Sequence, residues 1–323
     1  MNDKLNDKPN DKPDDAPNKN KDGTISLTAQ ENDAGRRLDR ILRKHFPAFP
    51  LSFINRLLRE KKVRVGDTAR HGAYRVVPGD VITVATAAQP PGPPPALNYA
   101  EPAPSTPALR IVYEDDDLLV ADKPVGVLTH GRDDGKADCA ENQSLESRVS
   151  AYLADKIPAS LSFRPGPLHR LDRNTGGLVV FGKSLRGARF FTRATQHGHV
   201  KKYYLALAGG VIAKEEVWED RLFRDKKDKK TRAANGDEPA KKAATRIRPL
   251  EPRNGATLIE AEISSGKTHQ IRAQCALHGH PLCGDKKYGG SPRQDGYFLR
   301  ACRIVIERNG ETLTIEDRPC HLV

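Results

Sequence analysis

Eight prolines fall between residues 85 and 108, five of them in Pro90-Pro91-Gly92-Pro93-Pro94-Pro95. Proline fixes φ and lacks an N–H, so a segment this dense in it cannot run through a helix or sheet and reads as a semi-rigid linker. The chain must therefore fold as a short part before the linker and a long part, 109–323, after it. Its 323 residues suit that division at roughly 100–200 residues per domain. Residues 1–23 repeat Asn-Asp-Lys at 2–4, 6–8 and 10–12, with Leu5 the one sizeable apolar residue after Met1. Such a tail buries too little to offset its ordering entropy and is expected to be disordered.

Residues 24–84 read as a compact module. Leu38, Ile41, Leu42 and Phe46 recur at helical spacing, and Phe53, Ile54, Leu57 and Leu58 repeat the pattern after Pro50. Val63 and Val65, Tyr74 and Val76, and Val81–Val84, separated by Gly66-Asp67 and Pro78-Gly79-Asp80, predict short strands. The polar side of the helices carries Arg36, Arg37, Arg40, Arg43, Lys44, Arg56 and Arg59, followed by Lys61 and Lys62, and the module is net +6. One sign dominating so small a body points to RNA or DNA, against the plainer reading of a solvated charged face. Two basic helices followed by "VRVGD…VVPGDVITV" are similar to the small RNA-binding module of ribosomal protein S-four.

Beyond Leu109, strands are predicted at Leu178–Phe181, Tyr203–Ala208, Leu258–Ile263 and Cys302–Glu307, with helices over Leu185–His197 and His269–Leu277. Strands outnumber helices without alternating strictly with them, so the fold class is α+β with a mixed, mostly antiparallel sheet. The stretch 221–248 is net +7 and polar enough to predict a mobile loop or hairpin, either an RNA contact or an inert one. The whole chain is net +12 with a mean hydropathy of −0.65, and no run of about 18 apolar residues is present. A transmembrane helix is excluded. Five cysteines without a CxxC argue against a disulfide framework or secretion, and the cytoplasm is expected.

Three motifs compete for chemistry. Gly177–Ser184 satisfies the phosphate-loop pattern GxxxxGK[ST], but its four internal residues, Leu-Val-Val-Phe, are strand formers where a phosphate cradle needs a loop. Cys275, His278, His280 and Cys283 could ligate zinc, yet Cys275 falls on a predicted helix and Pro281 stiffens the exit. The third is Pro167-Leu-His169-Arg170-Leu171-Asp172-Arg173-Asn174-Thr175-Gly176-Gly177, which runs into the Leu178–Phe181 strand. Asp172, flanked by two arginines in a polar loop, is either a nucleophile or base kept ionised by its neighbours, or a structural ion pair.

"HRLDRNTGG" is very similar to the H-R-L-D-x-x-T-S-G signature of the RluA-type pseudouridine synthases. Further motifs of that family follow its order: "LLVADKPVGVLTHG", "HVKKYYLALAGG", "AATRIRPLE" and "SSGKTHQIRAQCALHGHPLCGDKKYG". The match spans about Leu109 to Tyr288. With the basic module and linker it most resembles the RluC-like enzymes of large-subunit ribosomal RNA. Three residues depart from the pattern: Gly176 replaces the signature Ser, Lys267 an Arg, and Arg300 the His of a His-Ala dipeptide. Gly176 is expected to loosen the catalytic loop.

The resemblance implies cofactor-free and metal-free conversion of uridine to its C5-glycoside. It implies that Asp172 is the essential carboxylate, attacking the sugar or abstracting a sugar proton, and that Arg272 pairs with it. Tyr204 would pack on the target base and assist proton removal from C5, and Arg170 would fill the gap left by the flipped-out uridine. The implied partner is large-subunit (23S) ribosomal RNA or an assembly intermediate, bound by a monomer away from any membrane. A tRNA-directed synthase and a non-catalytic RNA-binding ribosome-assembly protein are the alternatives.

Overall fold

The computed structural model describes residues 23–85, 108–131, 144–308 and 310–317. The Asn-Asp-Lys repeats, nearly all of the proline linker, Cys139 and Cys320 lie outside the described residues. The chain forms two compact units: Met1–Leu97 with Ala159–Phe163, and Asn98–Pro158 with Arg164–Val323. Ala159–Phe163 is thus the one segment beyond the linker that joins the first unit.

The first unit runs β1 (Thr24–Thr28), a 3-10 turn (Glu31–Asp33), α1 (Leu38–His45), α2 (Leu51–Arg59), β2 (Val63–Val65), β3 (Thr68–Ala69) and β4 (Val81–Ala85). Its sheet is antiparallel in the order β1-β4-β2-β3. The helical apolar repeat fulfils its spacing, since Leu38, Ile41, Leu42, Ile54 and Leu57 are buried with Val63, Ile82 and Val84. Each such side chain contributes about 1.5–3 kcal/mol. Tyr74 and Val76 form no strand; only an isolated bridge, Arg37 to Arg75, occurs there. Val76 is nevertheless fully buried, and the Tyr74 hydroxyl donates to Asp80, so these residues close the core with that one bridge in place of a strand. Asp33 is buried and accepts from Ser160 Oγ, Leu161 N, Ser162 N and Ser162 Oγ, all within 3.1 Å, which explains why this segment belongs to the unit.

The second unit contains β5 (Arg110–Glu114), β6 (Leu118–Lys123), α3 (Leu145–Leu153), β7 (Gly166–Pro167), β8 (Gly176–Gly182), α4 (Leu185–Gln196), β9 (Val200–Gly209), β10 (Glu216–Asp225), β11 (Lys230–Ala233), β12 (Lys241–Arg253), β13 (Ala256–Ile263), α5 (Gln270–Leu277), β14 (Leu299–Arg308) and β15 (Glu311–Glu316). They build one sheet in the order β11-β10-β12-β13-β9-β14-β8-β6-β5, with β15 on β14 and β7 on β8. Every pairing described is antiparallel except β14 with β8. Strands β6 and β8 are covered on both faces, so they read as continuous apolar runs. Leu119, Ala121, Val179 and Phe181 face the core shared with α3 and α5, while Leu118, Val120, Leu178 and Val180 face the one shared with α4.

Residues 221–248 form a hairpin, β10–β11, and the start of β12, joined by short turns, rather than a free loop. β10, β11 and β12 extend the sheet, with Ala243, Thr245 and Ile247 turned inward and Lys242, Arg246 and Arg248 outward. The phosphate-loop candidate is likewise excluded: Gly177–Gly182 is buried strand, Lys183 Nζ donates to Glu114, and Ser184 caps α4 by accepting from Gly187 N. Gly177 is required where it stands. Its φ is +106°, and a Cβ there would lie 2.1 Å from Ala301 O. Gly176 is fully buried in β8 opposite Arg300, so it is a strand residue and loosens no loop.

Candidate active site

Asp172 lies in the turn between β7 and β8, and that turn is held from three sides. The fully buried Lys123 donates from Nζ to the carbonyls of Pro124, Val127 and Arg173, at 3.0, 2.7 and 3.1 Å. Burial lowers its pKa to about 8, against the charges of Asp172 and Asp122. Thr129 Oγ1 donates to Leu171 O and accepts from Leu171 N, and His169 Nε2 accepts from Val180 N at 3.1 Å. An imidazole accepting at one nitrogen is neutral, and burial together with the charge of Lys202 pushes His169 down to about 3.

The turn opens onto a cleft of about 310 Å³ whose walls include Arg170, Asp172, Lys202, Tyr204, His269 and Arg272. Asp172 Oδ2 meets Arg272 Nη1 at 3.1 Å and His269 Nε2 at 3.6 Å. Arg272, on α5 and 8% exposed, forks at the same time onto Asp285, with Nε–Oδ2 at 2.7 Å and Nη2–Oδ1 at 2.8 Å. Its guanidinium also lies 4.4 Å from the centre of the Tyr297 ring. Burial opposes its charge, but the Asp285 hydrogen bonds and the charges of Tyr297, Asp285 and Asp172 outweigh that and raise its pKa. Its planar fork grips Asp285 through two parallel bonds while a third N–H reaches Asp172, a fixed geometry that a lysine ammonium does not impose.

Tyr204 is 6% exposed and lines the cleft from β9, flanked across the sheet by Ala261 and Ala301. Burial, reinforced by the charge of Asp172, pushes the phenol above its ordinary range, so it stays protonated. Tyr203 points to the other face beneath Arg303, whose guanidinium is 3.8 Å from the ring centre. Lys202 also lines the cleft; burial and the nearby Lys267 lower it to about 8.

The structure brings Asp172, Tyr204 and Arg272 together, with Arg170 exposed on the lip and without a side-chain partner among the described residues. The module residues do not share this cleft. Arg37, Arg40, Arg43, Lys44, Arg56, Arg59, Lys61 and Lys62 are exposed, Arg37 paired with Asp39 and Lys62 with Glu60. Arg36 departs from the set: it is half-buried and donates to Ser162 O at 2.7 Å, so that part of its function is internal. Sequence reasoning missed Lys123, His269 and Asp285 as site residues, although all three stand inside the quoted family motifs.

The zinc candidates do not converge. Cys275 is buried in α5, His278 stacks on Trp218 and meets Asp220, and His280 meets Gly209 O. Among the described residues no group of three or more such side chains could hold a metal ion.

Comparison with known proteins gives concordant results. The RNA pseudouridylate synthase family matches residues 117–277. A Bacillus subtilis protein described as an uncharacterized RNA pseudouridine synthase is 30% identical over 300 residues, covering 90% of this chain and 93% of its own. Ribosomal large subunit pseudouridine synthase C of Vibrio cholerae is 31% identical, over 87% of this chain and 84% of its own. Ribosomal large subunit pseudouridine synthase D of Nitrosomonas europaea is 32% identical, over 83% and 73%. Among solved structures, human RNA pseudouridylate synthase domain containing 1 shares the fold, with a TM-score of 0.54 and 23% identity over 69% of this chain and 88% of that one.

Proposed function

The chain belongs to the RNA pseudouridylate synthase family, and from that premise we propose that it isomerises uridines of large-subunit ribosomal RNA with Asp172 as the essential carboxylate. The observation that carries this reading is the Asp172–Arg272 pair at the floor of a cleft walled by Tyr204. The isomerisation breaks N1–C1′, turns the uracil and joins C5 to C1′, with the C5 proton lost and N1 protonated. Reaching C1′ requires the nucleotide to leave its stack, an expulsion costing a few kcal/mol. Arg170, exposed at the cleft, enters the vacated space in this reading.

Asp172 acts on the sugar, as nucleophile at C1′ or as base toward a sugar proton, and both routes need a carboxylate whose charge is matched. Arg272 supplies that match without free motion, since Asp285 fixes its other edge. Tyr204 offers a flat face to the base; as a protonated phenol it relays the C5 proton rather than starting as phenolate. The exposed arginines and lysines of the first unit bind RNA backbone. The named activities of the Vibrio and Nitrosomonas relatives favour ribosomal RNA.

The test is Asp172→Asn in a strain lacking the native gene, with pseudouridines mapped by carbodiimide reactivity in ribosomal and transfer RNA. Loss of specific 23S modifications, restored by the unaltered chain, is expected. Modification that persists with Asp172→Asn sinks the assignment of Asp172; loss confined to transfer RNA sinks the substrate.

A further inference from the structure

His269 has a backbone that side chains other than glycine rarely adopt, φ +56° and ψ +26°, immediately before α5. Histidine is among the residues that tolerate this region, yet such conformations persist only where surrounding structure enforces them. Thr231 in β11 supplies the enforcement. Its Oγ1 donates to Thr268 O at 2.8 Å, and its N–H donates to Tyr288 Oη at 2.9 Å. Tyr288 Oη lies 2.9 Å from His269 Nδ1, ring edge to ring face at 82°.

These contacts fix where the imidazole proton sits. With Thr231 N–H already given to the Tyr288 oxygen, the phenol has one proton to place, and Nδ1 is the acceptor in reach. The reverse arrangement strands a phenol proton in a buried site. Nδ1 therefore accepts, and the ring carries its hydrogen on Nε2, which points at Asp172 Oδ2 from 3.6 Å. Arg272 Nη1 donates to the same oxygen at 3.1 Å, so Arg272 and His269 both face Oδ2 rather than Oδ1.

We infer that His269 is a positioning residue for the reaction: its neutral Nε2–H, set through Tyr288 by Thr231 of the basic β10–β11 hairpin, fixes the Asp172 carboxylate so that Oδ1 is the reacting oxygen. The inference rests on Asp172 being the essential carboxylate. Burial and the surrounding charges of Arg272, Arg224 and Lys287 keep the ring neutral, offset in part by Asp172, with its pKa near 4. The hairpin's basic residues thereby belong to the same connected structure as the reacting group.

Two replacements separate positioning from backbone support. Glutamine in place of His269 would keep a donor near the Nε2 position but suits the left-handed backbone poorly, whereas asparagine tolerates that backbone well and its shorter amide cannot reach Asp172. In single-turnover assays on a short RNA, His269→Gln is expected to retain a rate within about tenfold of the parent, and His269→Asn to fall roughly 100-fold, both with unchanged KM. Thermal stability should run the other way. Tyr288→Phe should lower kcat about tenfold with KM unchanged. Asparagine equal to or faster than glutamine overturns the inference, as does a Tyr288→Phe defect confined to KM. Asp172→Asn, measured alongside, must be inactive; if it turns over, the reading of Asp172 itself has failed, whatever the order of the two His269 variants.

Discussion

Arg59 and Arg272 carry the same guanidinium into opposite settings. The face of α1 and α2 holds its cations in open solvent, where only a few meet a carboxylate, and a phosphate backbone can be approached in many registers. Arg272 is buried between Asp285 and Asp172 and has one geometry available. Equal charge therefore serves two purposes: at the surface it sets attraction that salt can weaken, and in the cleft it sets position that salt scarcely touches.

The contrast is broken first by removing the buried member. Arg272→Gln leaves Asp285, 1% exposed, without its cation, and a cost of about 3–5 kcal/mol is expected. Turnover should fall by at least roughly 10²–10³-fold as Asp172 loses its partner. Chemical denaturation and single-turnover rates check both; a variant as stable as the parent contradicts the buried-pair reading.

A smaller effect should appear with pH. His169 and His269 are held neutral in the fold, with pKa values pushed down to about 3 and about 4 by burial. In the unfolded chain each titrates near its ordinary value of about 6.5, so between those limits the unfolded state binds more protons. Stability is complete above about pH 6.5 and declines as pH falls, by up to about 1.4 kcal/mol per pH unit for each group. His169→Gln should flatten that slope in denaturation curves from pH 7 to 5; an unchanged slope removes His169 from the account.

The smallest effect on the fold is expected where the charges are exposed. Reversing Arg40, Arg43 and Arg59, or separately Lys226, Lys227 and Lys229, should leave stability unchanged, weaken RNA binding and flatten its salt dependence. The first set should spare the rate on a short substrate. A salt slope indifferent to both sets breaks the division between attraction and position.

Much of this was legible beforehand because it is local. Leu178–Phe181 reads as a buried strand from its own residues, which the structure extends to Gly176–Gly182, and α4 reads from its spacing. Tyr204 is read from the family's Lys-x-Tyr pattern, and strand alternation in β9 then sends one tyrosine to each face. Elsewhere the signal was masked. The lysines and aspartates of 221–248 have poor strand propensity, yet sheet pairing overrides it, with Leu222, Thr231, Ala243, Thr245 and Ile247 buried among them. α3 and β15 carried too little pattern to be read. Asp285 is thirteen residues from Arg272 and looks like one more surface acid; only the packing of the turn after α5 shows that it is buried. Arg36 was indistinguishable from its neighbours because its partner, Ser162 O, lies 126 residues away.

Gly176 and Arg300 are register partners across β8 and β14, and both differ from the family pattern. A Cβ at 176 would lie 3.2 Å from Val125 Cγ2 and 3.4 Å from Arg300 Nη1, while Arg300 is itself tied to Asp122 and Asp317 at 2.9 and 2.6 Å. The two positions are thus coupled in space, since glycine at 176 leaves the Arg300 guanidinium the place it occupies. Restoring serine to this chain should cost more while Arg300 stands than after it has been returned to histidine.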